Sequence, residues 1–136
     1  MTHYLLDACA LLAIFNDESE KDTVLDLLEQ ARSGTIRLSM SIVQLLAVYY
    51  NCIYFSGANK ARGIIESILA ESITIIESIS HDVMYEARRF KTSYSMSLAD
   101  SIIAAAAKNL GAAIVTKDDE FNEAEQAGEF PILRLK

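Results

Sequence analysis

Three acidic positions stand at strand ends or helix starts. Asp7 follows Tyr4-Leu-Leu6 and precedes a second apolar run, Ala8 to Phe15. Asp100 lies in SLADSIIAAAAKNLG, and Asp118, with Asp119 beside it, follows the apolar Ala112 to Thr116 in AAIVTKDDEF. Each has an ordinary structural reading. Asp7 is suited to capping a helix, Ser97-Leu-Ala-Asp100 fits a capping box in which Asp100 bonds back to the first helical turn, and paired acids after a strand serve as solvated loop residues. Convergence favours chemistry instead: carboxylates gathered at one edge of a sheet repel each other unless a divalent cation sits between them. An all-oxygen ligand set suits Mg²⁺ or Mn²⁺ better than zinc. A helix N-terminus at Asp100 would favour the ionised form that a metal requires.

The sequence offers no competing catalytic signature. It contains no GxxxxGK[ST] and no GxSxG; His3 and His81 match no metal-ligand spacing, and Cys9 and Cys52 form no CxxC and read as small buried apolar residues. What remains is divalent-metal chemistry on a phosphate ester. The net charge of −7, from 12 Lys and Arg against 19 Asp and Glu, argues against a protein that grips nucleic acid mainly by neutralising phosphates. A nuclease whose cations meet the phosphates is compatible with that balance.

Positioning such acids is the work of an α/β fold, because open parallel sheets bind ligands at the carboxyl edge of their strands. The patterning predicts strands at His3 to Asp7, Thr35 to Ser39, Ile73 to Glu77, Ala112 to Thr116 and Ile132 to Leu135. Helical periods fall at Glu20 to Arg32, from Ser41 onward, and at Asn59 to Ser72, His81 to Lys91, Ser97 to Leu110 and Glu120 to Ala127. Ser41-Ile-Val-Gln44 fits a second capping box, and the apolar stripes of the helix it opens predict burial on both faces. With 136 residues and no linker or repeat, one domain over 1–136 is expected.

From Leu38 to Asn59 the chain has no Asp, Glu, Lys or Arg, yet its longest purely apolar piece is Leu45 to Tyr50. A spanning helix needs about 20 mostly apolar residues, so no membrane span is expected. The N-terminus has no basic region ahead of its apolar segment and carries Asp7 inside it, unlike a signal peptide. A cytoplasmic location follows.

YLLDACALLAIFNDE, ISHDVMYEARRFK and SLADSIIAAAAKNLGAAIVTKDDEF, in that order, resemble a PIN domain, and among PIN domains the VapC toxins of VapBC toxin-antitoxin modules. The resemblance covers nearly the whole chain. It implies a three-layer α/β/α fold with a largely parallel sheet of about five strands, and a Mg²⁺- or Mn²⁺-dependent endoribonuclease whose acids surround the metal. Asp7, Asp100 and Asp118 match the family's first, third and fourth acids, the last through Thr116-Lys-Asp118-Asp-Glu-Phe121 in the family pattern T-x-D-x-x-F; Asp119 is the substitute. Thr116 would support the site. The second family acid is a glutamate in a context such as LAEVYY, where this chain reads Leu45-Leu-Ala-Val-Tyr-Tyr50. Ala47 therefore stands where a catalytic glutamate is expected, either as a natural loss that weakens the enzyme or as an introduced Glu-to-Ala replacement; the intact flanks favour the second.

The resemblance further implies an RNA substrate, a homodimer and a cognate antitoxin. Arg88, Arg89 and Lys117 are candidates for RNA phosphate contacts, with Lys60, Arg62 and Lys91 behind them. Two other readings compete. A PIN fold kept as a non-cutting binding module has Ala47 as its support. A receiver-type regulatory domain also has an acid after its first strand, but needs a phosphoacceptor Asp at the end of its central strand, which Ile73 to Glu77 does not supply.

Overall fold

The structure is a computed structural model and describes all residues, 1–136. Five strands, β1 (His3–Leu6), β2 (Arg37–Ser41), β3 (Thr74–Ile76), β4 (Ala113–Thr116) and β5 (Ile132–Arg134), form one sheet in the order β3-β2-β1-β4-β5. Every neighbouring pair is parallel. Helices α1 (Ala8–Phe15), α2 (Lys21–Arg32), α3 (Ile42–Ser56) and α4 (Ala58–Leu69) intervene before β3. After it come α5 (His81–Tyr94), α6 (Leu98–Leu110) and, beyond β4, a 3₁₀ turn at Asp119–Phe121 running into α7 (Asn122–Gln126).

Strand alternation divides the apolar side chains between two layers. Leu6 and Val115 point into a core shared with Val24, Leu28 and Val48 of α2 and α3, whereas Leu5 and Ile114 point into a core shared with Phe90, Ile103 and Phe121. The result is the expected three-layer α/β/α arrangement. The succession of strands reverses direction beside β1: β2 and β3 lie on one side of it and β4 and β5 on the other. In open α/β sheets, the crevice at such a reversal, outside the carboxyl ends, is the ligand-binding position.

Several local expectations change. β2 begins two residues after the predicted start, because Ser33 closes α2 and Gly34 adopts φ +80, a turn that must finish before extended chain can start. β3 is an edge strand and not the centre of the sheet; the centre is β1. The helix expected to be buried on both faces is not: Gln44, Leu45, Val48 and Cys52 are buried, but Leu46, Tyr50, Tyr54 and Phe55 are 63–77% exposed. Apolarity on both sides of α3 thus exceeds what the fold itself covers. No helix is long and apolar enough to cross a membrane.

Candidate active site

Asp7 is the residue after the central strand. Its backbone N–H donates to Val115 O, continuing the ladder to β4, while its Oδ1 accepts from Ala8 N at 2.9 Å and caps α1. The capping reading of Asp7 therefore holds, and it leaves the second oxygen free for other partners. That oxygen, Oδ2, accepts from Thr116 Oγ1 at 2.6 Å and from Cys9 Sγ at 3.5 Å. Thr116 has no exposed surface, and its Oγ1 also accepts from Asp118 N at 2.9 Å. One buried hydroxyl thus fixes the acid after β1 and the turn after β4 relative to each other.

Cys9 is half-buried, not a fully buried apolar side chain as expected. Burial, with the Asp7 carboxylate beside it, pushes its thiol up to about 11, so it stays protonated and acts as a weak donor to Asp7. His3 is a packing residue, with Nε2 2.7 Å from Ser39 Oγ.

Both capping boxes form only in part, and each diverted half goes to the site. Ser97 Oγ accepts from Asp100 N at 3.1 Å, but the Ser97 N–H donates to Glu120 Oε1, not to Asp100. The carboxylate of Asp100 is released from its local role and turns toward Glu120 and Asp118. Likewise Ser41 Oγ accepts from Val43 N at 3.2 Å, while the buried Gln44 reaches across to accept from Ala8 N at 3.3 Å. That shared amide ties α3 to the cap of Asp7.

The carboxylate oxygens of Asp100, Asp118 and Glu120 lie within 4.8 Å of one another. Asp118 Oδ1 accepts from Glu120 N at 2.9 Å, which shapes the 3₁₀ turn and aims Glu120 inward. Burial raises the Asp100 carboxyl to about 8, reinforced by its hydrogen bond with Glu120 and by the charges of Asp118 and Asp7. The same shared proton holds Glu120 below its usual range. Burial also raises Asp7, against the opposing hydrogen bonds from Thr116 and Ala8. None of these four acids forms an ion pair with Lys or Arg within the chain, in contrast to Glu18, Glu20 and Glu129. The donor set of these carboxylates, oxygen throughout, fits a hard divalent cation.

Glu120 is the site residue that the sequence reading missed: it lay inside a predicted helix, and only the turn begun by Asp118 brings it inward. Asp119, the proposed substitute, points the other way. Its side chain is 91% exposed and sits 3.7 Å from Arg134. Ala47 is exposed on α3, in an open depression that it shares with Leu12, Asn51 and Ala99, the residue before Asp100. Two of the three basic candidates are occupied. Arg89 is paired with Glu86 and bidentate to Glu129 (2.6 and 3.1 Å), and Lys117 bridges Glu18 and Glu20 at 2.8 and 2.6 Å. Arg88 is exposed and has no carboxylate partner.

The chain matches the PIN domain family over residues 4–126. It belongs to that family. Among solved structures, this PIN domain resembles VapBC2 from Rickettsia felis bound to a promoter DNA fragment, with TM-score 0.79 and 16% identity over 99% of this chain and 100% of that one. VapBC-1 from nontypeable Haemophilus influenzae gives TM-score 0.71 and 13% identity over 98% of both chains. Mycobacterium tuberculosis VapC20, a sarcin-ricin loop cleaving toxin, gives 0.66 and 14% over 89% of this chain and 94% of that one. At these identities the likeness bears on the fold. A search of curated protein sequences gives no match.

Proposed function

We propose that this PIN domain, taken as one unit over 1–136, is the toxin of a type II toxin-antitoxin module and a Mg²⁺- or Mn²⁺-dependent endoribonuclease of the cytoplasm. The observation that carries the reading is the gathering of Asp7, Asp100, Asp118 and Glu120 at the carboxyl edge of a PIN sheet, with no Lys or Arg ion-paired to any of them. Asp7, Asp100 and Asp118 are the proposed metal ligands, with Glu120 completing the oxygen set. Bound there, Mg²⁺ or Mn²⁺ would lower the pKa of water and stabilise charge on phosphoryl oxygens.

The chain's own residues supply the positioning. Thr116 holds Asp7 and the Asp118 turn in one arrangement, and Cys9 adds a second donor to Asp7 Oδ2. Ser97 and Glu120 free the Asp100 carboxylate from its cap. The reaction is hydrolysis of an RNA phosphodiester bond, leaving a 3′-hydroxyl and a 5′-phosphate. A cognate antitoxin and a second copy of the chain are the proposed protein partners, supported by apolar surface on α3 that the fold leaves uncovered.

Ala47 supports a second reading, a binding module without cleavage, since a methyl group there neither ligates metal nor orients water. The receiver reading is set aside by the family match and by the edge position of β3. The test compares this chain with its Ala47→Glu variant for Mn²⁺-dependent RNA cleavage and for growth arrest on expression. Cleavage by the variant, with less or none by this chain, is expected. An Ala47→Glu protein that folds, binds Mn²⁺ and is inert in both assays would end the nuclease reading, and cleavage by this chain would end the binding-module reading.

A further inference from the structure

Half of the twelve basic side chains are already engaged by carboxylates: Lys21, Arg32, Arg89, Lys108, Lys117 and Arg134 have acidic partners within the chain. Arg88 and Lys91 do not. They lie with Met84 on one stripe of α5, at spacings of four and three residues that place all three on the same helical face. That face borders a groove of 360 Å³ between α5 and the start of α6, walled by Ile79, Met84, Leu98 and Ile102. No acid lines it. In a chain of net charge −7, it alone among the surface depressions holds two cations and no carboxylate.

The groove borders residues that adjoin the acid cluster in the chain. Lys91 Nζ donates to Met96 O at 3.2 Å; the next residue, Ser97, donates its N–H to Glu120; and Leu98, in the groove wall, stands two positions before Asp100. Ile79, Met84 and Leu98 are 45%, 48% and 65% exposed, so the apolar wall is open to a ligand. A basic track beside apolar surface matches single-stranded nucleic acid, whose phosphates meet cations while sugars and bases lie on apolar side chains.

We infer that the α5–α6 groove is the path of the RNA strand to the acid cluster, with Arg88 and Lys91 binding phosphates flanking the cleaved bond. The inference rests on the nuclease reading and specifies where its substrate lies. Arg89 and Lys117, committed to internal ion pairs, have no part in it. The α4 cations Lys60 and Arg62 lie outside the groove and serve as the control.

The test is fluorescence anisotropy of labelled single-stranded RNA of mixed sequence, titrated with this chain in Ca²⁺ across a KCl series. The variants are the double neutralisations Arg88→Gln/Lys91→Gln and Lys60→Gln/Arg62→Gln. The groove variant is expected to lose affinity several-fold at low salt and to flatten the log–log salt slope by about 1.4, at about 0.7 per lost single-strand phosphate contact. Its melting curve should match that of the unaltered chain, and the α4 variant should keep the original slope. An unchanged slope in the groove variant, or an equal loss in the α4 variant, overturns the inference. So does a changed sedimentation coefficient with unchanged RNA binding, which would make the groove a contact between copies. If the unaltered chain binds Mn²⁺ but no RNA, the nuclease reading falls as well; if it binds RNA and the groove variant binds it equally, only the groove assignment falls.

Discussion

Thr116 uses one hydroxyl twice, donating to Asp7 Oδ2 and accepting from Asp118 N, with no water able to replace either bond at a fully buried position. Thr116→Val keeps the shape and removes both, leaving a buried carboxylate short of a donor. It should cost about 1–3 kcal/mol in urea unfolding and weaken Mn²⁺ binding, while Thr116→Ser recovers most of both. A valine variant as stable and as metal-competent as the original would show that the hydroxyl does not hold the site. Asp100 carries the pH dependence. Its carboxyl is raised from 3.8 to about 8 in the folded chain, so its contribution to stability is complete below the unfolded value and is lost as pH rises through about 8. Metal-free protein should therefore melt at progressively lower temperature from pH ~5 to ~8. Added Mn²⁺ takes the place of the proton, so its stabilising shift should be larger at pH ~8 than at pH ~6. Equal Mn²⁺ shifts at the two pH values would contradict this, and Asp100→Asn should remove the difference.

At the scale of elements, helix starts were easy to read and the partners of their caps were not. Ser41, Ser80 and Ser97 all cap helices through their side chains, as serine before an apolar period suggests. The reciprocal bonds depend on what lies across the sheet edge: Gln44 and Glu120 act on Ala8 and Ser97, at separations no local motif encodes. The same limit hid the role of Glu129. Its side chain is only 8% exposed, and it accepts from Arg89 on α5, Lys108 on α6 and Tyr94 Oη (2.8 Å), joining both helices to the chain that leads into β5. These partners, Arg89 foremost, hold its carboxyl down at about 2. Its stabilisation is present above the unfolded value near 4.5 and is lost as pH falls toward 2. Glu129→Gln should cost about 1–3 kcal/mol at neutral pH, discounted for the partial exposure of its basic partners. It should also flatten the acid limb of the stability curve. Identical acid unfolding of variant and parent would remove Glu129 from that role.

For the whole molecule, the positions of the strands and the acids after them were legible because they obey local rules, apolar run, then acid, then helix, whereas the strand order was not, since β3, read as central, lies at the edge. Asp7 and Asp118 were singled out that way, and Asp100 by its spacing from Ser97 at a helix start. The surface was not legible, because the pattern of α3 says how apolar it is but not how much of it the other layers cover. The uncharged run from Leu38 to Asn59 proves to be one buried stripe and one bare one, with Tyr54 and Phe55 stacked edge to face at 4.9 Å and largely exposed. Exposed apolar surface of this kind marks an interface, and with net charge −7 like copies repel, so any self-association must come from apolar burial. The proposed homodimer then makes a definite prediction. Tyr50→Ser/Tyr54→Ser/Phe55→Ser should shift sedimentation toward the monomer, and raised salt should strengthen association of the unaltered chain by screening its repulsion. Because these side chains are exposed in the single chain, intrinsic stability measured in dilute protein should change by only about 0.5 kcal/mol per site. A sedimentation profile unmoved by the triple change would exclude this face of α3 from self-association and leave it for the antitoxin, whose binding the same variant would then abolish.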